Sequence, residues 1–152
     1  MAVGQRALLI RSPSGNVLWD CAGYFDDDLA AEIEGLGGIS AIAVSHPHFY
    51  GGVTEWGRTF DAPVRVHAED RDWVGRPDPA IEYWAGDTHR IAPGMTLINA
   101  GTHFAGGTVL HWADGPDGRG ALFSGDILST DGSAGVRRSA DRYLRFLRDD
   151  GS

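Results

Sequence analysis

Short apolar runs alternate with polar or glycine-rich connections along the first half of the chain. Two of these runs, at 6–11 and 17–21, flank turn-forming residues, a pattern that predicts a β-hairpin. Further strands are predicted where apolar residues cluster, and helices where they recur at intervals of three or four. In chain order these are a helix over 26–36, a strand over 39–44, a helix over 52–60, a strand over 64–67 and an acidic helix start at 69–70. Helices between strands predict a layered α/β domain.

The second half of the chain has strands with no room for helices between them. Apolar runs at 95–99, 108–113 and 121–124 are separated by glycine-rich loops, which predicts an antiparallel meander. A polar loop at 130–135 precedes an apolar stripe at helical spacing, which predicts a closing helix over 136–147. The stripe consists of Val136, Ala140, Tyr143, Leu144 and Leu147.

Composition narrows the class of protein. The 152 residues fit a single domain over 1–152, and 42% of them are apolar, as in a globular protein. The net charge is -8 and all 13 basic residues are Arg, so we expect neither a nucleic-acid nor an anionic-membrane partner. One cysteine excludes a disulfide framework. The start of the chain does not resemble a signal peptide and no apolar run spans a bilayer, so a soluble cytoplasmic domain is expected.

Four candidate metal ligands directly follow predicted strands. His46 and His48 come after the strand at 39–44, and residues two apart can share one side of the chain. His103 lies in a glycine-flanked loop after the predicted strand at 95–99, and Asp126 follows the predicted strand at 121–124. Functional sites in layered α/β folds cluster at strand ends. Three imidazoles and a carboxylate suit Zn²⁺, and also Fe²⁺ or Mn²⁺.

These motifs together resemble those of the metallo-β-lactamase superfamily. The stretches that carry the resemblance are L-W-D-C-A-G at 18–23, S-H-P-H-F-Y-G-G at 45–52, G-T-H-F-A-G-G-T at 101–108 and L-F-S-G-D at 122–126. The second of these and V-L-H-W at 109–112 resemble an uncharacterised bacterial subgroup of metallo-hydrolase-like proteins. The resemblance implies an αββα sandwich.

Departures from the family pattern concern the second metal site. Tyr50 and Gly51 stand where the superfamily has an Asp and a His, and no His follows His111. The chain also passes quickly from Asp126 to its predicted last helix, so the second half of the sandwich is expected to be reduced. The resemblance therefore implies an intact first site of His46, His48 and His103, beside a second site that keeps only Asp126.

The expected function is that of a hydrolase with one metal ion, most simply Zn²⁺, acting on a small ester, thioester or lactam-like bond. Asp126 would accept a proton from the metal-activated water or ligate the metal itself, and Tyr50 would hydrogen-bond an oxyanion or simply fill space.

Two alternative functions belong to other classes of protein. One is a non-catalytic metal-binding remnant that serves as a scaffold or partner module. The other is a mononuclear iron oxidoreductase.

The remaining polar candidates are interpreted mainly as structural residues. His67 is expected to be a surface or helix-capping residue, His89 to lie in a solvated turn and His111 to be a satisfied strand residue. Asp20, at a strand end, could hydrogen-bond a ligand histidine, or it is an ordinary loop residue. Cys21 is expected to be a small core residue.

Two further expectations concern three aromatic residues and the formation of a homodimer. Trp73, Tyr83 and Trp84 are interpreted as core residues, with a substrate pocket as the alternative. With one helix to cover the second sheet, apolar surface beside Leu97, Leu110 and Leu122 is expected to be bare. A homodimer through the C-terminal half would cover it.

Overall fold

The structure, a computed structural model, describes residues 7–21, 26–45, 52–75, 77–101, 105–115 and 118–124. Within these ranges the chain forms two sheets, two α-helices and one 3-10 helix. The predicted closing helix over 136–147 lies outside the described residues. No helix in the described ranges is long and apolar enough to cross a membrane.

The first sheet has five strands in the order in which they occur in the chain. They are β1 (Leu8–Ile10), β2 (Val17–Trp19), β3 (Ala41–Ala43), β4 (Val64–His67) and β5 (Ile81–Trp84). β1 and β2 form the predicted antiparallel hairpin, and β2 to β5 run parallel. Because parallel strands end at the same edge, the segments that follow β2, β3 and β4 emerge side by side.

The second sheet is an antiparallel meander of four strands. They are β6 (Thr88–Ala92), β7 (Met95–Asn99), β8 (Thr108–Trp112) and β9 (Ala121–Phe123). The meander confirms the prediction for 95–124 and adds β6 to it.

The helices cover the outer face of the first sheet. Helix α1 (Asp27–Gly35) begins at Asp26, whose carboxylate accepts a hydrogen bond from the backbone N–H of Leu29 at 2.8 Å, a standard N-cap. Helix α2 (Val53–Phe60) buries Val53, Trp56 and Phe60, as its apolar spacing predicts. These side chains pack on Ile42, Val64 and other residues of the sheet's outer face.

A second core fills the space between the sheets. Val17, Trp19 and Ala43 from the first sheet meet Leu97 and Leu110 from the second. Leu97 and Leu110 are fully buried in this core. Leu97 and Leu110 therefore leave no bare apolar surface, contrary to the expectation, because their side chains point toward the first sheet. Leu122 is only partly buried and packs with Ile98 and Val109 in a separate cluster, so the bare surface expected beside it stays a prediction. The homodimer through the C-terminal half stays a prediction, but Leu97 and Leu110 no longer support it.

The sequence pattern did not reveal β5 and β6. Only residues 85–87 separate them, yet they belong to different sheets, so the chain crosses the sandwich at this point. His89 was expected in a solvated turn and instead lies half-buried in β6. Its ring stacks on Trp84 with the centroids 5.8 Å apart, which keeps the imidazole out of open solvent.

Candidate metal centre

The predicted ligands His46, His48, His103 and Asp126, together with Tyr50 and Gly51, lie outside the described residues. Their neighbours in the chain are described. Ser45 precedes His46, Gly101 is two residues before His103 and Ser124 is two residues before Asp126. The positions of these neighbours decide whether the ligand-bearing segments begin near one another.

The ends of β3 and β7 meet at one edge of the sandwich. The carbonyl of Ser45 accepts a hydrogen bond from the N–H of Thr108, the first residue of β8, at 2.8 Å. The N–H groups of Ala100 and Gly101 donate to the carbonyl of Gly107 at 2.7 and 3.1 Å. The segments that carry His46 and His103 thus begin next to each other, although one belongs to each sheet.

Strand β9 leads toward the same edge. Its residues pair with β8 in the order Ala121 with Trp112, Leu122 with His111 and Phe123 with Leu110. Each step along β9 therefore moves one residue closer to Thr108, where β8 begins. The chain leaves β9 at Ser124, and the segment that carries Asp126 starts on the side of the Ser45–Thr108 contact.

Asp20 fixes the residue immediately before His46. It is buried, and its carboxylate accepts hydrogen bonds from Ser45, at 2.7 Å from the N–H and 3.1 Å from the hydroxyl. Its backbone adopts a left-handed conformation with φ of 60°, which Asp tolerates better than most residues. This is a positioning role rather than that of an ordinary loop residue. The hydrogen bond from Asp20 to a ligand histidine stays a prediction.

The next residue, Cys21, is buried as predicted. Burial raises the pKa of its thiol, and the adjacent negative charge of Asp20 raises it further. A thiol in this state is a core residue rather than a nucleophile.

His67, at the end of β4, is a buried capping residue. Its Nδ1 accepts a hydrogen bond from the N–H of Glu69 at 3.2 Å, and its Nε2 lies 3.0 Å from the carbonyl of Gly86. The side-chain nitrogen of Asn99 lies 3.3 Å from the same Nε2. The capping prediction is confirmed and the surface location is wrong. Both ring nitrogens therefore have hydrogen-bond partners within the protein.

Asp70 is a site residue that the sequence analysis missed. It lies in the 3-10 helix Ala68–Trp73, it is 1% exposed, and its Oδ1 accepts a hydrogen bond from the N–H of Gly106 at 2.9 Å. Burial raises the pKa of this carboxyl, while the Gly106 hydrogen bond and the neighbouring His67 partly offset the rise. The available signal was an acidic residue just after β4, at the same edge as Asp20 and Ser45.

The aromatic pocket is not formed, because neighbouring residues of a strand face opposite sides of the sheet. Trp84 is buried between the sheets, and Tyr83 packs against the helix-side core. Trp73 is 61% exposed, so its interpretation as a core residue is wrong. His111 is buried in β8, as expected for a structural strand residue.

The predicted ligand set is compatible with this edge. Among the described residues, no group of three or more His, Cys, Asp or Glu side chains could hold a metal ion. The chain segments that begin at Ser45, Gly101 and Ser124 carry three imidazoles and one carboxylate, a donor set that suits Zn²⁺. Buried carboxylates of Asp20 and Asp70 hold backbone N–H groups at the same edge, as expected of residues that support metal ligands.

Comparisons with known proteins agree with this architecture. The model of the metallo-beta-lactamase superfamily matches residues 2–149. The uncharacterized protein YmaE of Bacillus subtilis (strain 168) is 48% identical over 128 residues. The match covers 84% of this chain and 47% of YmaE, so the chain spans about half the length of that relative.

Solved structures show the same fold at low sequence identity. TTHA1623 in a di-iron-bound form superposes with a TM-score of 0.68 at 22% identity, over 97% of this chain and 85% of its own. A metallo-beta-lactamase of Cronobacter sakazakii gives a TM-score of 0.61 at 23% identity, over 90% of this chain and 68% of its own.

Proposed function

Because the chain belongs to the metallo-beta-lactamase superfamily, we propose that it is a metal-dependent hydrolase with one metal ion at the edge where β3, β7 and β9 end. The ligands in this proposal are His46, His48 and His103, with Asp126 beside them. The substrate class is a small ester, thioester or lactam-like compound. Family membership alone does not select among these substrates, because one fold supports many reactions.

One observation carries the proposal. The hydrogen bond between Ser45 and Thr108, and the bonds from Ala100 and Gly101 to Gly107, join the starts of two ligand-bearing segments across the two sheets. The chain segments that carry His46 and His103, which are 57 positions apart in the sequence, thus begin in one small region. A structural role for these histidines would not require their segments to begin together.

The chemistry divides between the metal and the protein. A Zn²⁺ ion in such a site supplies a Lewis acid and lowers the pKa of a bound water to about 7. The imidazoles of His46, His48 and His103 would hold the ion, and the Asp126 carboxylate would take the proton of the attacking water. The Tyr50 hydroxyl donates a hydrogen bond to the oxyanion of the substrate.

One metal per chain is favoured over two. Tyr50 and Gly51 stand at the positions of two ligands of the second site. His67 is disfavoured as a replacement ligand, because both of its ring nitrogens already have partners within the protein. The ion itself is proposed as Zn²⁺, with iron as the second candidate because TTHA1623 is described in a di-iron-bound form.

A turnover assay tests the proposal. Purified protein loaded with Zn²⁺ is compared with chelator-treated protein on p-nitrophenyl acetate, a small acyl thioester and a chromogenic β-lactam. We expect metal-dependent turnover of at least one substrate. Asp126→Ala should lower that turnover about 10²–10⁴-fold, the usual contribution of a general base.

One further variant and three possible results complete the design. Tyr50→Phe should reduce turnover less than Asp126→Ala, because it removes a single hydrogen-bond donor and leaves the ring in place. Activity that is unchanged in Asp126→Ala would remove this residue from the mechanism. A metal-loaded protein without turnover on any of the three classes would favour the non-catalytic scaffold, and bound iron with redox activity would favour the oxidoreductase.

A further inference from the structure

We propose that Asp70 is a positioning residue for the metal centre, which it serves by fastening the β7–β8 connection through the backbone N–H of Gly106. This inference rests on the proposed function, because the connection concerned carries the candidate ligand His103. Asp70 does not contact the metal in this proposal. Its effect passes through the backbone of the loop.

The contact between Asp70 and Gly106 is close and buried. The carboxylate Oδ1 lies 2.9 Å from the Gly106 N–H, and only 1% of the Asp70 surface is exposed. A Cβ atom at position 106 would come within 2.6 Å of the Asp70 Cγ and 2.9 Å of the His67 Cβ. Only glycine allows the loop backbone to approach the carboxylate this closely.

The same loop segment is bonded on its other side. The Thr108 hydroxyl donates to the Gly106 carbonyl at 2.8 Å, and the Thr108 N–H donates to Ser45. The peptide groups around Gly106 are thus held between the end of β4, through Asp70, and the end of β3, through Ser45. Asp70 is the link that ties the His103-bearing connection to the 3-10 helix.

The second carboxylate oxygen of Asp70 indicates that this residue anchors the loop rather than adding to the overall stability of the fold. Oδ2 is buried and has no hydrogen-bond partner within the described part of the chain. A buried carboxylate with an unpaired oxygen is unfavourable for folding, and a smaller apolar residue would avoid that cost. What the carboxylate provides here is one acceptor aimed at Gly106, which an asparagine would also provide.

Metal affinity provides the test. The Kd for Zn²⁺ is measured by competition with a chromophoric chelator, and the Co²⁺-loaded protein is examined by visible absorption. Asp70→Ala should raise the Kd about 10–100-fold, as loss of residues that support metal ligands does. It should also change the Co²⁺ spectrum. Asp70→Asn keeps an acceptor for the Gly106 N–H and should stay within about threefold of the wild-type affinity.

Two further variants keep the test decisive if Asp70→Ala folds poorly. Gly106→Ala retains the carboxylate but forces the backbone away from it, and should weaken Zn²⁺ binding in the same range. Ile33→Ala is the matched control for lost stability. Ile33 is a buried residue near the end of α1, where Asn16 bonds the carbonyls of Leu36 and Gly38 at the opposite edge of the sheet.

Each result has one meaning. The inference is overturned if Asp70→Ala and Gly106→Ala bind Zn²⁺ as the wild type does. It is also overturned if Asp70→Asn is as weak as Asp70→Ala, or if Ile33→Ala weakens binding equally. Failure of the proposed function appears in the wild type instead. Bound Zn²⁺ without hydrolysis defeats only the catalytic proposal, whereas a wild type that binds no metal defeats both.

Discussion

Asp20 is predicted to be a major contributor to stability, because one buried carboxylate holds both the backbone and the side chain of Ser45. Asp20→Ala removes the acceptors for the Ser45 N–H at 2.7 Å and its hydroxyl at 3.1 Å. A hydrogen bond to a charged group contributes about 1.5–3 kcal/mol. Alanine must also adopt the left-handed backbone at φ of 60°, which costs about 1–2 kcal/mol. Since removal of a buried charge offsets part of the sum, we expect a loss of about 3–5 kcal/mol.

Urea unfolding followed by far-UV circular dichroism measures this loss, and two conservative variants isolate its parts. Asp20→Asn keeps an acceptor for the Ser45 N–H and tolerates the left-handed backbone, so it should lose only about 1–2 kcal/mol. Ser45→Ala removes only the hydroxyl contact and should lose about 1 kcal/mol. The reasoning is refuted if Asp20→Ala lies within 1 kcal/mol of the wild type, or if Asp20→Asn is equally damaging.

Three further predictions concern titratable groups that are buried or half-buried. Burial raises the pKa of Asp70, so its contribution to stability is greatest below pH 4 and falls as the pH rises through the raised pKa. Asp70→Asn should therefore gain stability relative to wild type between pH 4 and pH 7 in urea unfolding. Burial lowers the pKa of His89, and the charge of Arg65 lowers it further. Because the unfolded chain then binds a proton more readily than the folded protein, the folded state loses stability as the pH falls below 6.5. His89→Phe should remove this acid sensitivity, and an unchanged pH profile would contradict it. Cys21 should react with Ellman's reagent only on unfolding, and fast labelling of the native protein would show that the thiol is accessible.

The sequence predicted the elements whose signals are local. Hairpin β1–β2 has a turn-forming run between apolar segments, α1 has an acidic N-cap at Asp26, and α2 has buried residues at helical spacing. β5 and β6 lack such signals. β6, with the sequence T-H-R-I-A, is half-exposed and lies at the edge of the second sheet as far as the structure describes it. Only three residues separate it from β5, which leaves no room for a recognisable turn.

The residues that support the candidate site were harder to predict from the sequence than its candidate ligands. The histidine motifs at 46–48 and 103 are readable because each follows an apolar run. The contacts of Asp20 with Ser45 and of Asp70 with Gly106 join residues 25 and 36 positions apart. No local pattern specifies such pairs, because they form only once parallel strands bring their ends to one edge and the second sheet packs beside them.

Metal content per chain tests the central claim most directly. Elemental analysis of purified wild-type protein should give one bound metal ion per chain, and the same measurement on His48→Ala and His103→Ala should give almost none. Metal content that is unchanged in these variants would show that the ion is bound elsewhere. A value near two in the wild type would contradict the single site.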